Sequence, residues 1–528
     1  MKQTELFLLP EEAANEQEIK KKISQKLSVA HADFSFRITR RSIDARSRTI
    51  KIRLAIEVFF KGENISEVKS KKSIQEVSKS KPVIVVGCGP AGMFAALRLI
   101  ELGLKPIIIE RGKSVAERRR DLAAINRKRI INPDSNYCFG EGGAGTYSDG
   151  KLYTRSNKRG DINGILQIFI EHGALPDIAI DAHPHIGTNK LPQIIISLRK
   201  KILDCGGEIH FNTKLKELII SANKIKGIKV CVDGSDNLSS LPADSVILAT
   251  GHSARDIYYL LKEQKILIDP KPLAIGLRIE HPQNIIDSVQ YHCKKRNPFL
   301  PPASYSLTHQ VNGKGVYSFC MCPGGIIAPA ATDVNEIVVN GWSPSKRNNS
   351  FANSGLVTSI DENDVTEFAK FGEMKFLEYQ KNIEQNAFMA GGKNLSAPAQ
   401  RMLDFVGKKY SSTLPLCSYI PGIVSVQLDE VLPREISSAL REGLNTFGKK
   451  MHGYFTNEAV LVGVETRTSS PVRIPRNQEN LMHPQINGLF PCGEGAGYAG
   501  GIVSAAIDGE RCADAVNDYY EQARKGKN

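Results

Sequence analysis

The chain has 528 residues, which predicts two or three domains because single hydrophobic cores stop growing at about 250–300 residues. Hydrophobic residues make up 41% and charged residues 24%, which excludes a disordered or fibrous chain. No apolar run approaches the roughly 18 residues of a membrane span, and the net charge of +14 suits either anionic ligands or solvated lysine-rich faces.

The start of the chain and its cysteines bear on location. The first residues have no basic region before the apolar stretch and no small-residue cleavage site, so no signal peptide is predicted. The ten cysteines are scattered without a C-x-x-C pair, which argues against a zinc site. We therefore expect a cytoplasmic protein with reduced thiols and no bound metal.

Residues 1–78 predict a small, basic α+β domain with a linker. The predicted elements are a strand at residues 6–10, a helix at 11–27, strands at 34–40 and 49–60, and a polar linker at 63–80. This order suggests a ferredoxin-like layer. Through residue 80 there are 17 Lys and Arg against 11 Asp and Glu, so RNA or another anionic partner is one interpretation. A docking or lid domain is the other, and the lack of an aromatic RNP-type motif favours it.

The stretch from residue 81 to 111 has the layout of a dinucleotide-binding unit. An apolar strand runs into Gly87, Gly89 and Gly92 at G-x-G-x-x-G spacing, followed by a helical pattern and a second strand that ends at Glu110. The glycines permit a tight turn, close approach of a pyrophosphate and close helix packing, while the acid suits a ribose diol. A glycine turn that only joins a strand to a helix is the alternative, but the complete unit favours nucleotide binding.

Later segments continue the α/β pattern. A helix is predicted at residues 191–203 and a strand followed by a turn at 245–251, and the C-terminal segment repeats the strand, glycine, helix order. Between residues 270 and 475, alternating segments predict a β-rich insertion with a helix at 361–385.

Together these segments resemble the two-dinucleotide-binding-domain flavoproteins of the glutathione-reductase-like superfamily. Within it, the chain is most similar to a bacterial group of FAD-dependent dehydrogenases, the NAD(P)/FAD-dependent oxidoreductases. The matching motifs are FGEGGAGTYSDGKLYT at 139–154, ILATGHSARD at 247–256, FCMCPGG at 319–325, residues 336–357, and PCGEGAGYAGGI at 491–502. The resemblance implies an FAD-binding Rossmann-like domain in two parts, 79–269 and 476–528, with a β-rich substrate domain inserted at 270–475.

The resemblance also implies an FAD site. The residues it assigns to FAD are Gly87, Gly89, Gly92, Glu110, Arg111, Arg119, Gly142, Gly143, Ala144, Gly145, Thr146, Thr250, Gly251, Gly493, Glu494, Gly500, Gly501 and Ile502. Arg111 would flank the adenine and Arg119 would reach a phosphate. The small residues 142–146 would let the backbone pass close to the flavin ring. Glu494 stands where such proteins usually carry Asp, and the last helix would point its N-terminus at the flavin pyrimidine.

Cys320 and Cys322 are candidate catalytic thiols. On an extended strand, residues two apart face the same side with Cα atoms roughly 6.5–7 Å apart, at the upper limit of disulfide geometry. A bond between them would be strained and reducible. The alternative is a pair of buried apolar cysteines.

Lys151 and several histidines are further candidates. Lys151 would place a charge near the flavin N1 or N5, and His185, with His183 near it, is a candidate proton donor before a helix that Thr188 or Asn189 would cap. His252 and His281 are weaker candidates. Lys346 with Arg347, beside Trp342, suits an anionic substrate or the phosphate of NADPH, and the alternative is a solvated surface.

The predicted function is an FAD-dependent oxidoreductase. The redox C-x-x-x-x-C of the disulfide reductases and a second G-x-G-x-x-G unit are both missing, so NAD(P)H would bind only transiently, or the small-molecule substrate itself would supply the hydride. The alternatives are a flavin monooxygenase, and an RNA- or partner-binding protein in which FAD is structural.

Overall fold

The computed structural model describes residues 1–63, 75–154, 160–235 and 237–525. Most of the predicted linker therefore lies outside the described residues. None of the described helices is long and apolar enough to cross a bilayer.

The first 60 residues form a three-stranded antiparallel sheet in the order β1-β3-β2. The elements are β1 (Lys2–Leu8), α1 (Pro10–Ala13), α2 (Glu16–Leu27), β2 (Phe34–Asp44) and β3 (Lys51–Phe60). The single helix expected at 11–27 is broken at Asn15, whose side chain accepts a hydrogen bond from the Gln17 backbone N–H at 2.9 Å and caps α2. Residues 1–63 contribute three strands rather than the four of a ferredoxin-like sheet, so that part of the prediction is not confirmed.

Several arginines of this sheet are paired with carboxylates. Arg37 contacts Glu57 at 2.6 Å, and Arg41 contacts Asp177 at 2.8 Å and Asp181 at 2.7 Å. The Arg41 pairs tie β2 to a later part of the chain. This favours the docking interpretation of the basic segment, and RNA binding stays a prediction.

Three further groups of elements follow. The first is β4 (Pro82–Val86), α3 (Pro90–Glu101), β5 (Lys105–Ile109), α4 (Val115–Lys128), α5 (Ile162–Glu171), α6 (Leu191–Asp204), β6 (Glu208–His210), β7 (Thr213–Ser221), β8 (Lys224–Val232), β9 (Leu238–Pro242), β10 (Val246–Leu248) and α7 (Arg255–Glu263). The second is β11 (Asp269–Pro270), β12 (Leu273–Pro282), α8 (Gln283–Tyr291), β13 (Thr308–Val311), β14 (Lys314–Pro329), β15 (Val339–Trp342), β16 (Phe351–Ile360), α9 (Lys375–Ala390), β17 (Ala397–Arg401), α10 (Met402–Val406), β18 (Ile423–Ser425), α11 (Arg434–Lys450), β19 (Val460–Glu465) and β20 (Val472–Arg473). The last is β21 (Leu489–Pro491) and α12 (Ile502–Lys525).

A five-stranded parallel sheet is the frame of the nucleotide-binding part. Its order is β21-β10-β4-β5-β6, so the C-terminal strand joins the first strands of the same sheet. Helix α12 packs on α3, and a Cβ added at Gly509 would lie 2.1 Å from the Ala91 carbonyl oxygen. The close approach of the two helices therefore depends on glycine at that position. The fold is mixed α/β, as predicted.

Between β10 and β21 the chain builds an eight-stranded sheet. Its order is β13-β14-β16-β12-β19-β17-β18, with β15 paired to β14, and β17–β18 is its parallel pair. The helix expected at 361–385 is divided, because residues 362–374 form a 3-10 segment with non-helical Val365 and Gly372. The predicted domain boundaries at 78, 269 and 475 stay predictions.

The N-terminal sheet and the eight-stranded sheet share one hydrophobic core. Leu54 of β3 and Ile23 of the helix α2 belong to the same buried cluster as Ile279 and Leu356 of the eight-stranded sheet. A separate cluster packs α3, α6 and α12 against the parallel sheet.

Glu280, on β12, should make stability depend on pH. It is 1% exposed, and burial raises its pKa from 4.5 to about 7 although the Ser418 backbone N–H donates to it at 2.8 Å. A carboxyl whose folded pKa is raised stabilises the fold below its unfolded pKa and loses that contribution as pH rises toward 7. The free energy of unfolding of Glu280→Gln, relative to that of the parent, should therefore increase by about 3 kcal/mol between pH 4.5 and pH 8. Urea unfolding at several pH values measures this difference. If the free energies of unfolding of the two proteins change with pH in the same way, the prediction is contradicted.

Candidate functional site

A deep cleft opens at the carboxyl ends of β4, β5 and β10, where ligands bind in open parallel sheets. It encloses about 1370 Å³, including the solvent space at its mouth. Its wall contains most of the residues predicted to bind FAD: Gly87, Gly89, Glu110, Arg111, Gly143, Ala144, Gly145, Thr250, Gly251, Glu494, Gly500, Gly501 and Ile502. The predicted residues that do not line it are Gly92, Arg119, Gly142, Thr146 and Gly493.

The first glycine turn requires glycine for two different reasons. Gly87 has φ +105°, and a Cβ there would lie 2.3 Å from the Ala249 carbonyl oxygen. A Cβ at Gly92 would lie 1.9 Å from the Gly87 carbonyl oxygen, so Gly92 supports the turn from behind rather than facing the cleft. The shape of the turn therefore requires glycine at both positions, and their contact with FAD stays a prediction.

Glu110 holds three backbone segments together at the cleft. Its carboxylate accepts hydrogen bonds from the N–H groups of Cys88 at 2.8 Å, Gly112 at 2.9 Å and Gly140 at 3.0 Å. A carboxylate has about four acceptor positions, so one is left for a ribose hydroxyl. Glu110 therefore has a structural role that the motif alone did not indicate.

Arg111 is fixed over an aromatic ring. Its guanidinium lies 4.5 Å from the centre of the Phe139 ring and donates to Asp256 at 2.6 Å. Arg111 and Phe139 both line the cleft and present flat surfaces, which suits the adenine contact predicted for Arg111.

The small-residue loop 142–146 stands opposite the glycine turn. Gly142 has φ +76° and a Cβ there would lie 1.9 Å from the Thr146 hydroxyl, which donates to the Glu141 carbonyl at 2.7 Å. These two residues shape the loop from inside. The intervening residues, 143–145, face the cleft.

Arg118, which the sequence analysis missed, supports this loop from below. It is fully buried and donates to the carbonyls of Asn136 at 2.7 Å, and of Tyr137, Glu141 and Gly143 at 2.9 Å each. Its neighbour Arg119, the predicted phosphate ligand, is exposed. The only sequence signal for a buried arginine was the run of three arginines at 118–120. This run does not show which of the three side chains is buried.

The C-terminal glycine segment leaves space that a cofactor would fill. Gly251, Gly500 and Gly501 line the cleft, and a Cβ added at any of them would meet no atom within 4 Å. The chain's own packing therefore does not require glycine at 500 and 501. A planar ligand lying against the backbone does, so these residues fit FAD.

Gly493 is held from outside the cleft. Its N–H donates to Asp508 at 2.8 Å, and Asp508 is paired with Arg476 at 2.6 Å. Gly493 therefore anchors the turn before Glu494, which does line the cleft.

The two candidate thiols are separated by a β-bulge. Phe319 pairs with Gly355 and Cys322 with Asn353, so β14 has one extra residue, and Cys320 takes φ +44°. The expectation of a regular strand with both thiols on one side was wrong. Cys320 lines the cleft and is the exposed one of the ten cysteines, all of which are described, whereas Cys322 is buried.

Lys151 lies against the buried thiol. Its Nζ donates to Cys322 Sγ at 3.4 Å and lies 3.5 Å from Asp149. Burial disfavours the charged amine, but Cys322 and Asp149 raise its pKa above the ordinary value. Burial also raises the pKa of the Cys322 thiol. The pair is therefore an ammonium beside a neutral thiol, and Lys151 is not among the residues that line the cleft.

A buried ion pair supports the bulge. Arg278 is 0% exposed, donates to Glu465 at 2.7 Å and to the Cys320 carbonyl at 2.8 Å, and approaches Cys322 Sγ at 3.5 Å. Glu465 is 3% exposed. The sequence signal was a charged residue within the apolar segment AIGLRIEH.

The four candidate histidines lie in different environments. Burial and Arg347 lower the pKa of His185 to about 4, so at neutral pH it lacks the second proton that an imidazolium donor needs. His185 Nε2 lies 3.2 Å from the Ser345 carbonyl, and His183 is exposed. His281 is buried against the Tyr454 carbonyl, while His252 lines the cleft.

The residues near the predicted helix cap and the anion site also differ from expectation. Helix α6 begins after Lys190, and Asn189 accepts from the Ser345 N–H instead of capping it. Arg347 donates to Asp149 at 3.2 Å, and Lys346 is exposed. Arg347 is thus occupied with a buried carboxylate.

Cys320 should react first with a thiol reagent. In the FAD-free protein, N-ethylmaleimide should label it ahead of the other nine cysteines, and added FAD should protect it. Although the side chain is open to the cleft, the surrounding protein desolvates its thiolate and raises the pKa of this thiol to about 11, so its labelling rate should increase about tenfold per pH unit below that value. Mass spectrometry of labelled peptides measures this. If Cys320→Ser still contains a cysteine that is labelled as fast as the first cysteine of the parent, the prediction is contradicted.

Two family models match the chain. One, described as FAD-dependent protein, C-terminal domain-like, matches residues 272–468, and a domain of unknown function matches residues 1–59. A protein of Clostridium beijerinckii, named as an uncharacterized protein, is 40% identical over 524 residues, which cover 95% of this chain and 96% of that protein.

Solved structures give weaker likenesses. A geranylgeranyl bacteriochlorophyll reductase-like protein of Thermoplasma acidophilum has a TM-score of 0.35 at 13% identity, over 84% of this chain and 80% of that one. A variant of the E. coli quinol fumarate reductase FrdA has a TM-score of 0.36 at 11% identity, over 84% and 71%. The narrower glutathione-reductase-like assignment stays a resemblance. On the sequence matches, the chain belongs to the family of FAD-dependent, oxidoreductase-like proteins.

Proposed function

We propose that the protein is an FAD-dependent oxidoreductase that exchanges a hydride through non-covalent FAD with NAD(P)H or a small organic substrate. The supporting observation is the cleft, where Phe319 and Cys320 from the eight-stranded sheet share a wall with the glycine loop 143–145. Bound FAD would supply the ring that takes up and returns the hydride.

The chain's own residues would set the conditions of that transfer. The backbone N–H groups at the start of α12 face the cleft beside Gly501 and Ile502, and they favour negative charge there. Phe319 and Cys320 bound the space for a substrate, and Asn340 adds an amide to the same wall. Lys151 holds a positive charge behind Cys322.

Substitutions at Gly501 test FAD binding without disturbing the fold. Because a Cβ there meets nothing within 4 Å, Gly501→Ala and Gly501→Val should change the free energy of unfolding by no more than about 0.5 kcal/mol. FAD affinity should fall in that order, by about 100-fold for Val, since the side chain takes the cofactor's space. Equilibrium dialysis with FAD and urea unfolding measure the two effects. Unchanged affinity in both variants would place FAD elsewhere.

The reaction itself is tested anaerobically. The purified protein should carry a flavin spectrum that bleaches on addition of NADH, NADPH or a substrate. Protein that is colourless and fails to take up FAD contradicts the proposal. Admitting oxygen after bleaching then separates an oxidoreductase from a monooxygenase, which alone would insert oxygen into a product. Bound FAD that nothing reduces would indicate a structural cofactor.

A further inference from the structure

A surface outside the cleft combines exposed apolar side chains with exposed cations. The exposed apolar residues are Ile130 at 58%, Tyr410 at 59%, Leu416 at 86%, Ile420 at 58% and Val424 at 39%. They come from two segments, 122–133 and 405–428. Neither segment contains Asp or Glu, and the neighbouring segment 385–403 contains none either. We call this surface the apolar-basic face.

Hydrogen bonds place these segments side by side. Arg129 donates to the Pro421 carbonyl at 2.8 Å and to Asn394 at 3.2 Å, which brings Ile130 near Ile420. The Ser425 hydroxyl donates to the Ser411 carbonyl at 2.5 Å, which brings Val424 near Tyr410. These bonds bring Ile130 near Ile420 and Val424 near Tyr410 at the β18 edge of the eight-stranded sheet, and Leu416 belongs to the same segment of the chain.

The cations of this face are not neutralised by acids. They are Arg127, Lys128, Arg129, Lys393, Arg401, Lys408 and Lys409. Arg129 and Arg401 bind backbone carbonyls, the latter at Thr413 and Asn457, both at 2.7 Å. Among residues 1–63, 75–154, 160–235 and 237–525, no ion pair joins any of these seven cations to an acid. Six of them, at 127, 128, 129, 393, 408 and 409, are exposed.

The combination of charge and apolarity restricts what can cover the face. A second copy in a two-fold dimer would bring the same cations opposite themselves, which is repulsive. A nucleic acid would use the cations but leave Leu416, 86% exposed, in water. An anionic bilayer satisfies both, because apolar side chains enter the acyl boundary while Lys and Arg meet the headgroups.

We propose that the apolar-basic face docks the protein on the surface of an anionic lipid bilayer. This inference is independent of the proposed reaction, because none of its residues lines the cleft. A protein that does not bind vesicles could therefore still carry out the proposed reaction, and a protein without that reaction could still bind vesicles.

The test is co-sedimentation of the full chain with vesicles. Binding is expected to equimolar phosphatidylglycerol and phosphatidylcholine, to weaken with added salt, and to be lost on pure phosphatidylcholine. Lys408→Gln with Lys409→Gln should weaken it about 25-fold, at about fivefold per charge. Leu416→Ser with Ile420→Ser should weaken it at least about tenfold.

Matched controls make the result specific. Lys294→Gln with Lys295→Gln removes an exposed lysine pair elsewhere, and Leu175→Ser removes an apolar residue that is 71% exposed. Both should bind vesicles as the parent does. Equal loss in controls and test variants, or equal binding to neutral vesicles, would overturn the proposal. So would a concentration-dependent dimer, seen by light scattering, that Leu416→Ser abolishes.

Discussion

Arg118→Met is expected to lower the free energy of unfolding by about 3–5 kcal/mol and to abolish stable retention of FAD. The substitution leaves four backbone carbonyls, between Asn136 and Gly143, without their donor, and each unsatisfied buried group costs about 1–3 kcal/mol. Because these carbonyls belong to the segment that leads into loop 142–146, the cleft wall should lose its shape together with the stability.

The matched control for Arg118 is the next residue of the same helix. Arg119→Met removes the same charge from an exposed position, so it should leave the free energy of unfolding unchanged. Urea unfolding and FAD dialysis of both variants, with Arg118→Lys as the charge-conserving case, give the comparison. If Arg119→Met lowers the free energy of unfolding as much as Arg118→Met does, the claim that the hydrogen bonds of Arg118 stabilise loop 142–146 is wrong. If Arg119→Met alone weakens FAD binding in a stable protein, the predicted phosphate contact gains support.

Arg278→Met is expected to lower the free energy of unfolding by an amount similar to that for Arg118→Met, but for a different reason. It leaves the Glu465 carboxylate buried without its cation, a change that typically destabilises by about 3–5 kcal/mol. The Cys320 carbonyl also loses the guanidinium donor and keeps only the Cys322 thiol, so the bulge that presents Cys320 to the cleft should relax. Burial already raises the pKa of Glu465, and removing the cation raises it further. The penalty should therefore be smaller at pH 5 than at pH 8, because a raised pKa favours protonation of the acid as pH falls.

Chemical unfolding at the two pH values measures this effect. Arg278→Met with Glu465→Leu should recover most of the lost stability, because replacing both partners of a buried pair by apolar groups is close to neutral. The maleimide reaction of Cys320 in each variant reports on the bulge independently. A single variant as stable as the parent, or a double variant less stable than the single one, would contradict the account.

The parts of the fold with local signals were predictable. The strands expected at 83–86 and 106–109 correspond to β4 and β5, since a glycine turn between two apolar runs is a short-range pattern. Residues 361–385 show where this fails, because the segment expected to be one helix is a 3-10 segment with non-helical Val365 and Gly372 before α9 begins at Lys375.

The parts of the candidate site that depend on distant partners were not predictable. Arg278 and Glu465 are 187 residues apart in sequence, and no periodic pattern shows that their side chains meet. The left-handed conformation of Cys320 depends on the register between β14 and β16, which a one-residue bulge shifts. Cysteine spacing alone therefore could not say which thiol faces the cleft.

The hydrophobic core shared by the N-terminal sheet and the eight-stranded sheet has a consequence for synthesis on the ribosome. Residues 1–60 emerge first, but the buried cluster that their apolar side chains join also contains residues of β19, which ends at Glu465. At about 5–20 residues per second, this cluster is complete roughly 20–80 s after residue 60 is synthesised. The nascent chain should therefore engage chaperones early, and an N-terminal truncation would leave exposed the core surface that the missing sheet covers.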